Sequence, residues 1–439
     1  MFRPISSSQD RATCALIRSR CKIVVALLVL LAFICRLEAV VGDELKVVTD
    51  QAFFVAPQQI GGGSGLSLAT AADFRSVDFW SKVREIVQQR PVSVNFIDGS
   101  YIVSSDEKNR MPTLLLADLG HPHHPLTLQG VSKSGVVFRR LPTDSLEGET
   151  GPGFLVISHS QNLVLRNLHF TAEQPITYAT SFANVQQMLF EGCSWTDLPR
   201  VKLGATGTSE SSTDHVTYAN CVFKRVGTGG GAHMSYNAYG PKHVNFINCH
   251  FEDCSGDYVR YRAGADFGVV LGCTFKSTGK WRGVNMPFIT VPQANDDDPL
   301  KKGSAGGYEY FGSHFLVANN TFEYANETAK GERIALLFHH SGFDPPGRSH
   351  LLTSEQGQLL ANGSVTARRA LMLSNFGIDA NHVHFFNNRF VGVDKKVAYR
   401  SYAAYGAKSK GWKGVADITE LINVSPVPVD ATKALRFFK

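Results

Sequence analysis

Residues 244–251 read VNFINCHF, and residues 216–223 read VTYANCVF. Both segments place apolar side chains at the first and third positions, Asn at the fifth, Cys at the sixth and an aromatic ring at the eighth. The pattern returns in whole or in part, with Asn or Gly at the fifth position, in residues 163–170, 188–195, 268–275, 315–322 and 383–390. The final aromatic residues of these segments are separated by 25, 28, 28, 24, 47 and 68 residues. The chain therefore contains a repeat of about 25 residues.

A unit this short cannot bury its own apolar face, so neighbouring units must stack on one another. The alternating apolar positions on both sides of the fifth residue predict two short strands joined by a bend. We interpret the separation of 47 residues as two units and that of 68 as two or three. We also expect the Asn at the bend to point inward and to bond to the Asn of the next unit.

The composition agrees with a β-rich repeat. Of the 439 residues, 19% are charged and 43% are apolar, with 40 Gly, 29 Phe and only 6 Met. These values disfavour a disordered chain, a coiled coil and a Leu-rich helical bundle. Leucine-rich repeats have a similar period, but their Leu skeleton is missing here.

The repeated segments resemble the coils of parallel β-helices of the pectin-lyase-like superfamily, and the resemblance covers residues 92–400. It implies an all-β fold, a single-stranded right-handed parallel β-helix of about nine to eleven coils. The period is interrupted near residues 280–312 and 341–370, which we interpret as insertions in the coils. Residues 401–439, basic and then Pro-rich, would form a C-terminal cap and tail.

Residues 43–91, ahead of the first coil, are expected to form an N-terminal strand and a capping helix. Residues 71–89 show the wide apolar stripe of an amphipathic helix. Such a helix would cover the end of the first coil, which otherwise presents unpaired strand edges. Phe53, Phe54 and Val55 predict a strand laid against this cap.

Residues 1–42 resemble a secretory signal peptide, with a basic stretch, an apolar run over residues 23–34 and a small residue at Gly42. The apolar run is shorter than the roughly 20 residues that span a bilayer. We expect a secreted, periplasmic or cell-surface monomer without stable membrane insertion after cleavage; the alternative is anchoring by an uncleaved signal. Most of the net charge of +6 lies in this segment, so the charge does not indicate a nucleic-acid partner.

Five cysteines follow the signal segment, and four of them come directly after the bend residue of a repeat. In stacked coils these four would form one column, with neighbours about 4.8 Å apart. A column of reduced thiols packed as small apolar side chains is the favoured interpretation, and disulfides between neighbours are the alternative. The four are Cys193, Cys221, Cys249 and Cys273; the fifth is Cys254.

Strand alternation over residues 257–262 places Tyr258, Arg260 and Arg262 on one face and Val259 and Tyr261 on the other. With the apolar partners inside, both guanidinium groups point outward. Two arginines at i and i+2 repel each other unless an anion lies between them, so the pair suggests an anionic ligand. The alternative is a solvated network in which Asp253, Asp257 or Asp266 pairs with the arginines.

Residues 248–264 resemble the catalytic coil of the chondroitinase B and alginate lyase family. The resemblance implies abstraction of the proton next to a uronate carboxylate by a Lys base, with help from an Arg and from a Ca²⁺ that neutralises the carboxylate. Counting from the Asn of the repeat places the family Arg at Arg260, whereas the Arg-x-Gly ending places it at Arg262. The corresponding base positions are Tyr239 and Lys242, so only one alignment retains a lysine.

Polar, aromatic and basic residues surround this segment and would suit a groove for an acidic polysaccharide. The alternatives are a non-catalytic carbohydrate-binding or adhesin-like β-helix, and a glycoside hydrolase. A hydrolase needs two carboxylates several Å apart, and the paired-Asp and Gly-His-Gly segments of β-helix polygalacturonases do not occur. The substrate-binding candidates are His233, Tyr236, Asn237, Tyr258, Lys280 and Arg282.

Two other clusters could bind metal ions. The acidic run 296–298 could hold a Ca²⁺, although a solvated loop is the simpler interpretation. His121, His123 and His124, or His382 and His384, could hold a transition metal. Neither histidine group has a Glu or Cys at ligand spacing.

Overall fold

The computed structural model describes residues 50–102, 114–140, 153–208, 213–229, 231–238, 240–262, 265–294, 314–341, 383–402 and 424–426. The expected signal peptide and most of the expected C-terminal tail lie outside these ranges. Among the described residues, no helix combines the length and the apolar character that crossing a bilayer requires.

The described chain is a right-handed parallel β-helix, as the repeat predicts. Strands follow one another around three parallel sheets, so each coil contributes one strand to each sheet. Connections between parallel strands are right-handed because of the intrinsic twist of L-amino acid strands. Each strand bonds to the equivalent strand of the coils before and after it.

Sheet 1 contains, in spatial order, β2 (Ala72–Asp73), β1 (Gln51–Ala56), β3 (Val92–Phe96), β6 (Leu126–Gly130), β9 (Gln161–Arg166), β12 (Gln186–Glu191), β15 (Asp214–Ala219), β18 (Lys242–Ile247), β21 (Val269–Leu271), β24 (Phe315–Ala318), β27 (Val383–Phe386) and β30 (Val424–Ser425). Sheet 2 contains β4 (Gly99–Ile102), β7 (Val136–Arg140), β10 (His169–Ala172), β13 (Ser194–Leu198), β16 (Val222–Val226), β19 (His250–Cys254), β22 (Thr274–Ser277), β25 (Thr321–Tyr324) and β28 (Arg389–Val391). Sheet 3 contains β5 (Leu114–Ala117), β8 (Leu155–Ser158), β11 (Ile176–Ala183), β14 (Val201–Thr208), β17 (His233–Asn237), β20 (Val259–Tyr261), β23 (Ile289–Ala294), β26 (Ile334–Ser341) and β29 (Lys395–Tyr402).

The aromatic residue of each repeat lies in a continuous stack inside sheet 2. Phe223 and Phe251 have ring centroids 4.8 Å apart, and Phe251 and Phe275 are 4.6 Å apart. The predicted stacking is therefore confirmed. A second stack runs inside sheet 1, where Tyr218 lies 5.0 Å from Phe190 and 4.8 Å from Phe246. Together these rings fill much of the core between the sheets.

The two long separations in the repeat are single coils, so the expectation of two units at the first and of two or three at the second was wrong. Phe275 stacks on Phe322 at 5.1 Å, and Phe322 stacks on Phe390 at 5.7 Å. Sheet 2 pairs β22 directly with β25 and β25 directly with β28. The extra residues must therefore lie within the coil, in segments that include residues 295–313 and 342–382, outside the described ranges.

The residue at the bend between sheets 1 and 2 faces outward, contrary to the inward ladder expected for Asn. Asn220 and Asn248 are exposed and have φ of 54° and 52°, in the left-handed region. Asn and Gly tolerate this region better than other residues, which explains why these two types recur at the bend. The inward ladder lies one residue later, where Asn320 Nδ2 donates to Asn388 Oδ1 at 3.1 Å.

The four cysteines of the column occupy this same position, one residue after the bend. These four, like Cys254, are buried free thiols in the structure. Each thiol of the column donates to a main-chain carbonyl of the preceding coil; for example, Cys249 Sγ lies 3.3 Å from Tyr218 O. The thiols therefore pack as small apolar groups with a weak donor, as the favoured interpretation held.

The N-terminal helix α1 (Val77–Val87) is shorter than the predicted stripe, because residues 72 and 73 form strand β2 instead. Ser76 caps it by accepting a hydrogen bond from Phe79 N at 3.2 Å. Phe79, Trp80 and Val83 are buried, and Phe79 contacts Phe53 of β1 edge to face at 5.6 Å. A short 3₁₀ helix (Leu68–Thr70) lies between β1 and β2.

Candidate functional site on sheet 3

The outer face of sheet 3 is polar and largely closed to solvent around strand β17. All five residues of this strand are buried, although only one face of it can meet the core. Tyr236 points outward and is in register with Gly207 of β14 and Arg260 of β20. A Cβ at Gly207 would collide with the carbonyl oxygen of Tyr236, so only glycine allows this approach. We call the outward side chains around Tyr236 the sheet 3 cluster.

Tyr236 is the centre of this cluster. Its ring stacks on His233, with centroids 5.2 Å apart and planes 16° apart, and lies 6.5 Å from the ring of Tyr178. Its phenol oxygen accepts a 2.7 Å hydrogen bond from Arg262 Nη1. The guanidinium carbon of Arg260 lies 5.9 Å from the centroid of the same ring. Cations beside a tyrosine ring are attracted by its negative face.

Arg260 and Asp257 form the ion pair of the cluster. Arg260 Nη1 donates to Asp257 Oδ2 at 3.0 Å, and the two side chains are 14% and 7% exposed. His233 Nδ1 lies 3.7 Å from the same carboxylate oxygen. Of the three carboxylates considered as counter-ions, Asp257 is thus the one seen to pair with Arg260, and the pair is buried rather than solvated. Asp253 instead accepts hydrogen bonds from Thr278 N and Oγ1.

Two buried polar atoms of this face have no hydrogen-bond partner among the described residues. They are Arg260 Nε and Thr290 Oγ1. Arg260 and Thr290 are direct register partners on adjacent strands, so their side chains emerge on the same face of the sheet. Buried polar groups are nearly always satisfied in native proteins, by protein, water or ligand. This pair is therefore a place where a polar ligand would gain hydrogen bonds.

The cluster brings two cationic side chains close to one carboxylate. Arg260 and Arg262 carry two positive charges, and Asp257 carries one negative charge. Low exposure to solvent strengthens the attraction of such cations for an anion. The cluster is thus suited to a carboxylate or another anion with hydrogen-bond acceptors.

Two of the predicted site residues belong to the core instead. Tyr258 is fully buried, and its hydroxyl donates to Lys276 O at 3.0 Å, because the chain turns inward before β20 and buries Tyr258 and Val259 in succession. Asn237 is in register with the core residue Tyr261, and its Nδ2 donates to Arg260 O at 3.2 Å. The expectation that both contact a ligand outside the coils is therefore not compatible with their positions.

Three further predicted residues, Lys242, Lys280 and Arg282, lie on other parts of the coils. Lys242 is exposed at the first position of β18, on sheet 1. Lys280 and Arg282 lie on the turn between β22 and β23, and Arg282 Nη2 donates to Pro199 O at 3.2 Å. Tyr239 lies outside the described residues. Of the ten predicted side chains, the structure brings together Arg260, Arg262, Tyr236 and His233.

Sequence reasoning missed Tyr178 and Thr290, and it named Asp257 only as a counter-ion. Tyr178 reaches the cluster because an irregularity in the pairing of β11 with β14 follows Ile176. Simple alternation does not predict such a shift. Thr290 could have been found from its register with Arg260, but a separation of 30 positions hides that register in the sequence.

The cluster does not fit a Ca²⁺ ion. Calcium takes about six to eight oxygen ligands at roughly 2.3–2.6 Å. Among the described residues, the cluster offers one carboxylate, already paired with Arg260, beside two cationic groups. The acidic run 296–298 lies outside the described residues.

No protein-family model matches this chain, and no curated protein matches it in sequence. Solved structures do resemble it at low identity. A pectate lyase, Pel9A, is 12% identical with a TM-score of 0.43, covering 84% of this chain and 82% of its own. A rhamnogalacturonan lyase is 12% identical with a TM-score of 0.38, covering 79% and 87%. A mannuronic acid specific polysaccharide family 6 lyase from human gut microbiota is 8% identical with a TM-score of 0.26, covering 88% and 94%.

Proposed function

We propose that the sheet 3 cluster binds the carboxylate of a uronic acid unit in an acidic polysaccharide, and that β-elimination at that unit is the reaction it supports. The observation that carries the proposal is the convergence of Arg260 and Arg262 on the side chain of Tyr236, on the polar face of sheet 3. Arg260 Nε and Thr290 Oγ1 supply unused hydrogen-bonding capacity at the same place.

β-Elimination requires two contributions from the protein, a base and a group that stabilises negative charge. A base removes the proton on the carbon next to the carboxylate, a carbon–carbon double bond forms, and the glycosidic oxygen leaves and takes up a proton. The negative charge that develops on the carboxylate side is stabilised by nearby cations, which is the role assigned to Arg260 and Arg262. His233 and Tyr236 are the groups of the cluster that could exchange a proton with the sugar.

A non-catalytic binding function is the second candidate, and the position of Lys242 favours it. The base implied by the family resemblance lies on sheet 1, exposed and separate from the arginines. A hydrolase is disfavoured, because the described residues of the cluster include one carboxylate where two are required.

The deciding experiment is incubation of the purified protein with alginate, pectate, chondroitin sulfate and dermatan sulfate, with Ca²⁺ or with EDTA. The ultraviolet absorbance of the unsaturated product reports elimination, and affinity electrophoresis reports binding. Arg260→Ala and Arg262→Ala should each abolish both signals. Arg225→Ala is the matched control, because Arg225 pairs with Asp197 at 2.6 Å on sheet 2, away from the cluster.

Three outcomes separate the candidates. Product formation that is lost in both arginine variants and kept in Arg225→Ala supports the lyase. Binding without product supports the binding function. The absence of binding to any of the four polysaccharides contradicts both.

Export is a separate proposal, supported by the signal-like residues 1–42. The protein isolated from its native host should begin near residue 43 and be found outside the cytosol. A chain that begins at Met1 in the membrane fraction would indicate an uncleaved anchor, and one that begins at Met1 in the cytosol would contradict export.

A further inference from the structure

Three metal-ligating side chains meet on the outer face of sheet 1, apart from the sheet 3 cluster. They are Asp214, His215 and His243, and one ligand atom from each lies within 4.8 Å of the others. His243 Nδ1 lies 2.6 Å and His215 Nδ1 2.9 Å from the same oxygen, Asp214 Oδ1. Among the described residues, this is the one group of three or more such side chains that converges so closely.

The fold creates this convergence from residues that are far apart in the sequence. Asp214 and His215 lie at the start of β15, and His243 lies at the start of β18 on the next coil. Adjacent coils are about 4.8 Å apart, so the two imidazoles occupy equivalent positions on neighbouring coils and lie one above the other. Their rings are stacked, with centroids 4.1 Å apart and planes 22° apart.

The backbone at this corner is held in one conformation through several coils. His215 and His243 both have φ of 54°, and the equivalent residues Phe267 and His314 have φ of 60° and 62°. The ring stack continues from His243 to Phe267 at 5.1 Å and from Phe267 to His314 at 4.5 Å. The orientation of the two histidines is therefore set by the scaffold and does not depend on a bound ion.

We propose that Asp214, His215 and His243 bind a divalent transition-metal ion such as Zn²⁺. Two imidazoles and one carboxylate are a common ligand set for this ion, at about 2.0–2.2 Å each, with the remaining position left to water. Ligand atoms around such an ion are about 3.3 Å apart, so the observed arrangement requires only small side-chain rotations.

The electrostatics of Asp214 support a cation site. Partial burial acts to raise the pKa of Asp214, but the hydrogen bonds and charges of His215 and His243 outweigh it and hold the pKa well below its usual value. Lys242, in register with Asp214 on the next coil, is the nearby charge that opposes a cation.

The earlier metal candidates do not form such a site. His121 and His124 are stacked at 4.5 Å, with His123 beside them, but their ligand atoms do not converge with those of a third metal-binding residue. His382 lies outside the described residues. The sequence offered no signal for the new site, because His243 is 28 positions after His215 and only the coil register brings them together.

Titration calorimetry of the purified full chain with ZnCl₂, together with the visible spectrum of the Co²⁺-loaded protein, tests the proposal. The variants are His215→Asn and His243→Asn. Asn suits the left-handed backbone, and Asn162 already occupies the equivalent corner of an earlier coil with φ of 53°. His250→Ala is the matched control, because His250 is a half-buried histidine one strand after His243 that pairs with Glu252 at 3.4 Å.

We expect one Zn²⁺ per chain in the parent protein and in His250→Ala. Affinity should fall by more than about tenfold in each Asn variant, since even outer-shell changes cause losses of that size at metal sites. It should also weaken as the pH is lowered, because imidazole must be deprotonated to bind a metal. Lys242→Ala should bind Zn²⁺ more tightly. Failure of the parent to bind one ion, or equal binding by folded His243→Asn, would overturn the proposal.

Discussion

Arg262 Nη1 donates a 2.7 Å hydrogen bond to the phenol oxygen of Tyr236, which lies on the preceding coil. Arg262 N also donates to Asn237 O at 2.7 Å, so both ends of the arginine are fixed to strand β17. This arrangement holds the guanidinium against the outer face of sheet 3 although Arg262 itself follows the end of β20. The Tyr236 hydroxyl therefore helps to position the guanidinium of Arg262.

Tyr236→Phe should weaken binding of the acidic polysaccharide while leaving the fold intact. The change removes the oxygen that positions Arg262, and a hydrogen bond to a charged group contributes about 1.5–3 kcal/mol. We expect roughly a 10- to 100-fold loss in affinity, measured by calorimetry with the polysaccharide that the parent binds. Circular dichroism should be unchanged. Equal affinity in parent and variant would show that Tyr236 does not position a binding group.

Asp257→Asn should make the protein less stable and at the same time more responsive to anions. The change removes the carboxylate from the ion pair of Arg260, and breaking a buried pair costs about 3–5 kcal/mol. A bound anion would supply the negative charge that the variant lacks. The ligand should therefore raise the melting temperature of the variant more than that of the parent. Asp197→Asn, which breaks the exposed pair with Arg225, is the control and should change stability little. A parent-like response to the ligand in Asp257→Asn would argue against an anion site.

Phe251→Ala should destabilise the coil stack by about 3–5 kcal/mol, the usual cost of removing a buried aromatic ring. Its ring lies between Phe223 and Phe275, so the cavity would face stacked neighbours on both sides. Leu203→Ala provides the contrast, because Leu203 is 39% exposed on sheet 3. Urea denaturation followed by fluorescence should give a clearly lower midpoint for Phe251→Ala only. Equal midpoints would contradict the continuous stack.

The five buried thiols should be unreactive in the folded protein. Burial keeps a reagent away from all five sulfur atoms, and it raises the pKa of Cys254 to about 12, so that this thiol carries almost no thiolate at neutral pH. Because the folded state holds this proton more tightly than the unfolded state does, the stability that it contributes is lost as the pH rises above about 9. A thiol reagent should label these cysteines only after denaturation, as peptide mapping would show. Labelling of the native protein, or disulfides within the column, would contradict the packing described.

Sequence reasoning predicted the features that depend on local patterns. The aromatic stack and the two-strand unit follow from alternation around residues such as Phe246 and Phe251, which every coil repeats. Sequence reasoning was wrong where the chain turns immediately before a strand. Tyr258 and Val259 both enter the core because the chain turns before β20, and alternation assumes a straight strand. It could not predict contacts such as His233 with Asp257, because these depend on register between coils.

In these stacked coils, the number of residues between two positions does not determine how far apart they lie in space. Phe275 and Phe322 stack at 5.1 Å, close to the 4.8 Å between Phe223 and Phe251, although an insertion separates the first pair in the sequence. An insertion or deletion inside a coil can therefore alter the chain length without moving any residue relative to its neighbours on adjacent coils. Sites built across coils, such as the sheet 3 cluster, can keep their geometry while the loops beside them diverge in length and composition. Alignments of related chains should thus be anchored on the bend and aromatic positions, with gaps confined to the turns.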